Sequence, residues 1–403
     1  MKHVIIGAGA AGISAAGTIR KFKPDDAIVI ISTDDAVYSR CMLHNYISGD
    51  RDKAGISFIS EDFFAKNNIR WLDGKTVTGL DAECKLVMFA DGSETFDKLL
   101  IASGSDSVTL PHLQGRNVLG LRHLCDAVQI RDRAQNAENI VIIGAGLVGL
   151  DAAYALVSMG KKPTVVDMAG SILALNLDSY AADVYKNKFA EAGCSFKLGQ
   201  KVSGSESDDD GNIVSLTMDS GEKLPCDLVI VAVGSRPAAE FLANSGVACV
   251  KGVKVDRYMS TNIKDVYAAG DVTGLSGIWP NARKQGEVAA KNMCGVPVVY
   301  DDMYAIKNTI NYFGIPSLSV GQVDPDEGDI TEVRGSRSEY KKVIVREGIV
   351  VGVILQGNIA HSGFWQYLIK NKVNVSGVPG NVLDVSFADF YGVEENGEYI
   401  WAV

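Results

Sequence analysis

The sequence lacks any run of about 18 apolar residues, so no stretch of it reads as an ordinary membrane-spanning helix. Nothing resembling a charged leader, an apolar segment and a cleavage site precedes Lys2-His3-Val4, so no signal peptide is expected, and with the cysteine usage below a cytoplasmic setting is the expectation. Its seven cysteines, at positions 41, 84, 125, 194, 226, 249 and 294, form no C-x-x-C pair and no zinc-ligand spacing, so reduced thiols and no metal site are expected. Positive charge is not in excess. With 39 lysines and arginines against 49 acidic residues, the formal net charge of −10 excludes nucleic acid and anionic membranes as natural partners, since both attract basic patches. Histidine is scarce at five, and only His44 and His361 read as near a site or an interface, where a lone histidine is usually a satisfied polar group. What remains, 47% apolar and 22% charged residues over 403 positions, is the composition of a globular chain of two or three domains.

Glycine is present in a pattern. The apolar run His3-Val4-Ile5-Ile6 opens into Gly7-Ala8-Gly9-Ala10-Ala11-Gly12 and then into the helix-like Ile13 to Ile19. A strand leading through G-x-G-x-x-G into a helix cradles a dinucleotide: the glycines allow the tight turn, the approach of the pyrophosphate and close helix–strand packing, while helix N–H groups face the phosphates. One such loop is a weak signal, but the pattern recurs. Ile140 to Ile143 opens into Gly144-Ala145-Gly146-Leu147-Val148-Gly149 and a second alanine-rich helix. Two copies predict two dinucleotide sites on an internal duplication.

After the second loop, Pro163-Thr164-Val165-Val166-Asp167 ends a strand in a carboxylate eighteen residues past Gly149, near the ~20 expected of an acid that binds ribose hydroxyls. Neither Arg nor Lys occurs in Met168-Ala169-Gly170-Ser171 to pair with a 2′-phosphate, so NADH is expected rather than NADPH. After the first loop the equivalent strand ends in Ser32-Thr33-Asp34-Asp35, which makes Asp34 a candidate ribose contact. Each loop also has a closing strand that ends in small residues, Lys98 to Ser103-Gly104 in one half and Asp227 to Gly234 in the other. Further on, Val266-Tyr267-Ala268-Ala269-Gly270-Asp271 delivers Gly270 and Asp271 at a strand end, where a carboxylate can accept from a ribityl or ribose hydroxyl.

In their order, Gly7 to Gly12, Gly144 to Gly149 and Ala268-Ala269-Gly270-Asp271 resemble the pyridine nucleotide–disulfide oxidoreductases over nearly the whole chain. The resemblance implies an α/β fold of two Rossmann-like domains, FAD-binding (residues 1–108 and 240–298) and NAD(P)H-binding (109–239), the second inserted in the first. A C-terminal α+β interface domain (299–403) would carry a homodimer seam or a heteromeric contact. It assigns FAD to Gly7, Gly9, Ala11, Gly12, Asp34, Arg40, Ser103, Gly104, Gly270 and Asp271, and the nicotinamide nucleotide to Gly144, Gly146, Gly149, Asp167 and Gly234.

Cys41 divides the family's branches. Cys41-Met42-Leu43 through Tyr46-Ile47-Ser48-Gly49 resembles the single-cysteine NADH oxidases, NADH peroxidases and coenzyme A disulfide reductases, in which Cys41 would be a redox thiol toward a disulfide, persulfide or peroxide. Ala10 stands where the peroxidases carry a histidine. Tyr38-Ser39-Arg40 resembles instead the NADH:rubredoxin and nitrite reductase-type flavoproteins, where Cys41 would merely pack. The leading expectation is an electron-transfer flavoprotein working between NADH and an iron–sulfur or rubredoxin-like protein, in either direction, alone or as one subunit of a larger complex. The alternatives are a self-contained Cys41 reductase and a non-enzymatic flavin-binding subunit.

The rest is scaffold. Lys85 to Phe89 with Asp91-Gly92 reads as a hairpin, Asp208-Asp209-Asp210-Gly211 as a turn, Lys341 to Leu355 as antiparallel strands, Gly363 to Ile369 as a helix, and Trp279-Pro280-Asn281 as a helix start facing the flavin.

Overall fold

The computed structural model describes residues 1–302, 307–336, 338–378 and 380–401. Packing divides the chain into two units, Met1–Met168 with Ala192–Met303, and Ala169–Glu191 with Tyr304–Val403.

In the first unit, strand Lys2–Ile6 is central to a parallel sheet ordered Val266–Ala268, Lys98–Ile101, Lys2–Ile6, Ala27–Ile31, Ile69–Leu72. Val4, Ile5 and Ile6 are all buried, as required of a strand covered on both faces. The crossover helix Ala10–Phe22 buries Ala11, Ala15, Ala16 and Ile19. Helix Trp279–Met293 packs against it so closely that a Cβ on Gly286 would stand 2.2 Å from the Ala11 carbonyl oxygen. The second parallel sheet is ordered Ser195–Leu198, Thr164–Asp167, Ile140–Ile143, Leu228–Val231, Val118–Gly120, with Leu147–Ser158 as the helix after its glycine loop.

The duplication extends to atomic detail. Each half carries a three-stranded antiparallel sheet before its closing strand, Val77–Asp81, Leu86–Phe89, Gly92–Thr95 in one and Val202–Ser207, Ile213–Met218, Lys223–Pro225 in the other. Gly7 N donates to Ile31 O at 2.7 Å, and Gly144 N donates to Val166 O at 2.8 Å. A Cβ on Gly7 would lie 2.2 Å from Ala102 O, and one on Gly144 2.3 Å from Ala232 O, so both loops require glycine where the closing strand crosses beneath. The closing strands run on into a two-stranded ribbon, Ser105–Ser107 with Ser235–Pro237.

In the second unit, strands Lys307–Tyr312, Ile315–Gly321, Ile349–Gln356, Tyr340–Arg346 and Ile330–Gly335 form an antiparallel sheet backed by helix Ser362–Asn371. Helix Ser179–Glu191 lies on this sheet: Tyr185 donates to Ile315 O at 2.5 Å, and Gln356 Nε2 donates to Ala181 O at 3.0 Å. By sequence order this helix falls between two strands of the second parallel sheet. The chain is thus a mixed α/β protein with two Rossmann-like dinucleotide folds and a separate C-terminal fold.

Candidate functional site

The carboxyl ends of parallel strands are where open α/β sheets bind ligands. At that edge of the first sheet a cavity of about 460 Å³ is lined by Gly7, Gly9, Ala11, Asp34, Arg40, Cys41, Ser103, Gly104, Gly270 and Asp271. Gly12 lies just behind the lining; a Cβ there would meet Gly7 O at 2.0 Å. Helix Ala10–Phe22 starts at Gly9 with no side-chain cap and no acid in its first turn, which leaves its N-terminal field open to an anion. Arg40 reaches over this loop, its Nη1 3.3 Å from where a Gly9 Cβ would sit, and its Nε is buried without a hydrogen-bond partner.

A network of charges surrounds the loop. Asp34 Oδ2 accepts from the Tyr38 hydroxyl and from Arg40 Nη2, each at 3.0 Å, while Asp34 Oδ1 faces His123 Nδ1 at 3.4 Å. Burial opposes its ionisation, but His123, Arg40 and Tyr38 together hold the Asp34 carboxyl below the usual range. Burial pushes the Tyr38 phenol up, and its oxygen accepts from Leu124 N at 3.0 Å. Asp271 follows Gly270, whose φ of +84° favours glycine and whose N–H donates to Gln285 Oε1 at 2.7 Å. Its carboxylate accepts from Arg122 Nη2 at 2.5 Å and lies 3.5 Å from Ser105 Oγ. Ser103 Oγ donates to Ala238 O at 2.7 Å.

Cys41 lines the cavity within the 3₁₀ turn Arg40–Met42. Its side chain is exposed to the open cavity, yet the protein packed around it pushes its thiol up, Asp151 and Asp271 push in the same direction, and Arg122 with the Ser39 contact opposes them. Asp151 belongs to the helix after the second glycine loop, and His44 Nδ1 is 3.9 Å from its carboxylate.

Arg122 and His123 are site residues that sequence reasoning missed. They stand where a loop meets helix Leu124–Asn136, and the pair Arg122-His123 carries no motif. His44 and His361 are the only histidines expected near a flavin or interface segment, and this expectation misses His123: it lines the cavity, which those two do not. It is carried there by the Tyr38–Leu124 bond and by contacts to Asp34 and Asp106.

The second glycine loop forms an open cradle. Helix Leu147–Ser158 also begins without a side-chain cap or a first-turn acid, and a Cβ on Gly146 or Gly234 would meet nothing within 4 Å. A Cβ on Gly149 would stand 1.9 Å from Gly144 O. Asp167 ends strand Thr164–Asp167, and its carboxylate accepts from Ala145 N in the loop at 2.6 Å. Around the loop the apolar side chains of Val148, Met168 and Val233 are exposed, as on a surface that receives a flat ring.

This fold and site define an FAD-dependent oxidoreductase that uses a nicotinamide nucleotide. The chain belongs to the pyridine nucleotide-disulphide oxidoreductase family, which it matches over residues 1–286. Residues 307–373 match the C-terminal domain of rubredoxin NAD+ reductase. The chain is similar to the NADH-dependent phenylglyoxylate dehydrogenase subunit epsilon of Aromatoleum evansii, with 31% identity over 93% of each chain. It is 28% identical to the NADH-rubredoxin oxidoreductase of Clostridium acetobutylicum, over 89% of this chain and 92% of that one. Among solved structures it is similar to the covalent putidaredoxin reductase–putidaredoxin complex (TM-score 0.83, 25% identity, 93% and 94% coverage). The family binds FAD and NAD(P)H, and the first cavity fits FAD on its own terms: a glycine cradle, an uncapped helix, a buried unpartnered arginine nitrogen and a carboxylate beyond Gly270. Among the described residues no helix is long and apolar enough to cross a membrane, and all seven cysteines are free.

Proposed function

We propose that the chain takes electrons from NADH at the Gly144–Gly149 loop and passes them, through FAD held in the Gly7–Gly12 cavity, to a separate iron–sulfur or rubredoxin-type protein in the cytoplasm. The observation that carries this reading is the setting of Cys41. It is the only cysteine among the described residues that line the cavity, so no dithiol can close there; though exposed to the open cavity, it has enough protein packed around it, with Asp151 nearby, to favour the neutral thiol over the reactive thiolate. Without an internal thiol relay, electrons leave to an external acceptor. The names of similar proteins accord with that route: an NADH-dependent dehydrogenase subunit, a rubredoxin oxidoreductase and a reductase crosslinked to putidaredoxin.

When bound, FAD supplies the chemistry, accepting a hydride from the nicotinamide and yielding electrons one at a time. The protein positions and tunes. The Gly7 and Gly144 loops with their uncapped helices hold the two pyrophosphates. Arg40 adds positive charge over the first, and Asp34 and Asp271 offer acceptors to hydroxyls. Asp167 favours NADH, because a 2′-phosphate would face a carboxylate already fixed by Ala145 N–H.

Two experiments test this assignment. In an anaerobic NADH titration, wild type and Cys41→Ser are expected to take up the same single two-electron equivalent and to reduce a one-electron dye at the same rate. Extra uptake by wild type, with a long-wavelength thiolate–flavin band that Cys41→Ser lacks, would transfer the exit route to Cys41. For the nucleotide, Asp167→Ser combined with Met168→Arg should move the ratio of kcat/KM values toward NADPH by about tenfold or more, the worth of one charge-assisted hydrogen bond. An unchanged ratio would remove Asp167 from the ribose site.

A further inference from the structure

His123 stands between two carboxylates, one at each ring nitrogen. Its Nδ1 lies 3.4 Å from Asp34 Oδ1 and its Nε2 lies 3.5 Å from Asp106 Oδ1. A neutral ring donates through one nitrogen and accepts through the other, whereas both nitrogens here face carboxylate oxygens; only the imidazolium can donate to both. The groups around it are Asp34, Tyr38 and Arg40 from the segment after strand Ala27–Ile31, Asp106 from the ribbon strand, and Asp126 from its own helix. Asp126 also caps that helix, accepting from the backbone N–H groups of Arg122 and His123 at 2.8 Å each, so His123 is held at a fixed place on the cavity wall.

The charge of this one ring decides the balance of the cavity. Asp34, Asp106, Glu240 and Asp271 line it against Lys75, Arg40 and Arg122. Protonated His123 brings the lining to neutrality; deprotonated His123 leaves one carboxylate in excess. The ligand assigned to this cavity is itself anionic at its pyrophosphate, so the sign of this difference bears on its binding.

Resting on the reading that the cavity holds FAD, we propose that His123 is a proton-operated latch on the flavin. Protonated, it bridges Asp34 and Asp106 and supplies the positive charge that makes the cavity receptive to a dianion; neutral, it lets go of one carboxylate and FAD is held less tightly. This is a regulation of cofactor retention that the glycine loops alone do not provide. The direction of its titration agrees. The Asp34 contact raises the imidazole above its ordinary value, Asp126 adds to that, and burial and Arg40 oppose. An anion bound beside the ring favours the imidazolium further, so by linkage FAD binds the protonated form more tightly than the neutral one. FAD retention should therefore weaken as pH rises through the raised value of the imidazole.

The test is FAD affinity of the apoprotein, followed by flavin fluorescence from about pH 6 to about pH 9, in wild type, His123→Gln and His123→Lys. Wild type should weaken about tenfold across the range, the effect of a one-unit change in the imidazole's affinity for protons when FAD binds. His123→Gln should be weak and flat at low pH, and His123→Lys flat and tight through the region where wild type weakens. Calorimetry of wild type in buffers of different ionisation enthalpy should show proton uptake on FAD binding at pH values where the free imidazole is partly neutral, a readout that needs no variant to fold. Identical pH profiles for wild type and His123→Gln, or binding without proton uptake, would overturn the latch while leaving the flavin site standing. Failure of the wild-type apoprotein to bind FAD at any pH would overturn the flavin assignment itself.

Discussion

Gly146→Val is expected to keep its full complement of FAD and to lose at least about a hundredfold in kcat/KM for NADH. The substitution separates fold from ligand. Gly146 has an ordinary φ of −79°, and a Cβ there meets no atom within 4 Å, so the protein alone has room for a branched β-carbon at this position. As the cap of helix Leu147–Ser158, valine would cost about 1 kcal/mol of helix stability, too little to unfold the chain. The space it fills is where a pyrophosphate must approach the loop. Losing two hydrogen bonds to charged oxygens, at about 1.5–3 kcal/mol each, exceeds a hundredfold. Gly149→Val serves as the contrast: its Cβ would stand 1.9 Å from Gly144 O, and that variant should fail to fold. Flavin absorbance of the purified protein and single-turnover reduction by NADH check the pair. Unimpaired reduction in Gly146→Val would remove this loop as the nicotinamide nucleotide site.

Asp271→Ala is expected to lose FAD, with an affinity at least about a hundredfold weaker, and also to lose stability as the apoprotein. Two separate costs are involved. Asp271 and Arg122 are 17% and 19% exposed, and truncating one partner strands a guanidinium in a largely enclosed wall. Fully buried pairs cost 3–5 kcal/mol when broken this way; with the water that reaches this pair, about 2 kcal/mol is the reasonable expectation. The cavity also loses an acceptor for a ligand hydroxyl, which the stability measurement does not see. Adding Arg122→Ala should restore much of the apoprotein's thermal stability without restoring FAD binding, since the stranded charge is gone and the acceptor is still missing. Equal FAD affinity in Asp271→Ala and wild type would show that this carboxylate does nothing but hold Arg122.

Much of the site was legible in the residues because its central devices are local. A strand, a glycine loop and the start of a helix occupy about a dozen consecutive positions. The backbone approaches that demand glycine at Gly7, Gly12, Gly144 and Gly149 leave a spacing that can be read without a structure. The same holds for Asp167, the last residue of an apolar strand, and for Gly270-Asp271, just past the end of one. Asp34 could be named but not characterised: its carboxylate meets Tyr38 and Arg40 a few residues on, yet also His123 from a distant segment.

What the chain order conceals is which distant segments share a wall. Arg122 and His123 sit in an unremarkable loop and reach Asp271 and Asp34 only once two sheets and their connecting ribbon are assembled. Helix Ser179–Glu191 lies in sequence among the strands of the second Rossmann-like half, yet the bonds of Tyr185 and Ala181 are to strands of the C-terminal sheet. The sequence by itself determined the two dinucleotide folds, their duplicated loops and the residue at each strand end, because turn and strand geometry depend on neighbours a few positions apart. The tertiary structure alone decided which charges face one another across the cavity and on which unit a helix lies, because those contacts depend on how segments far apart in the chain pack.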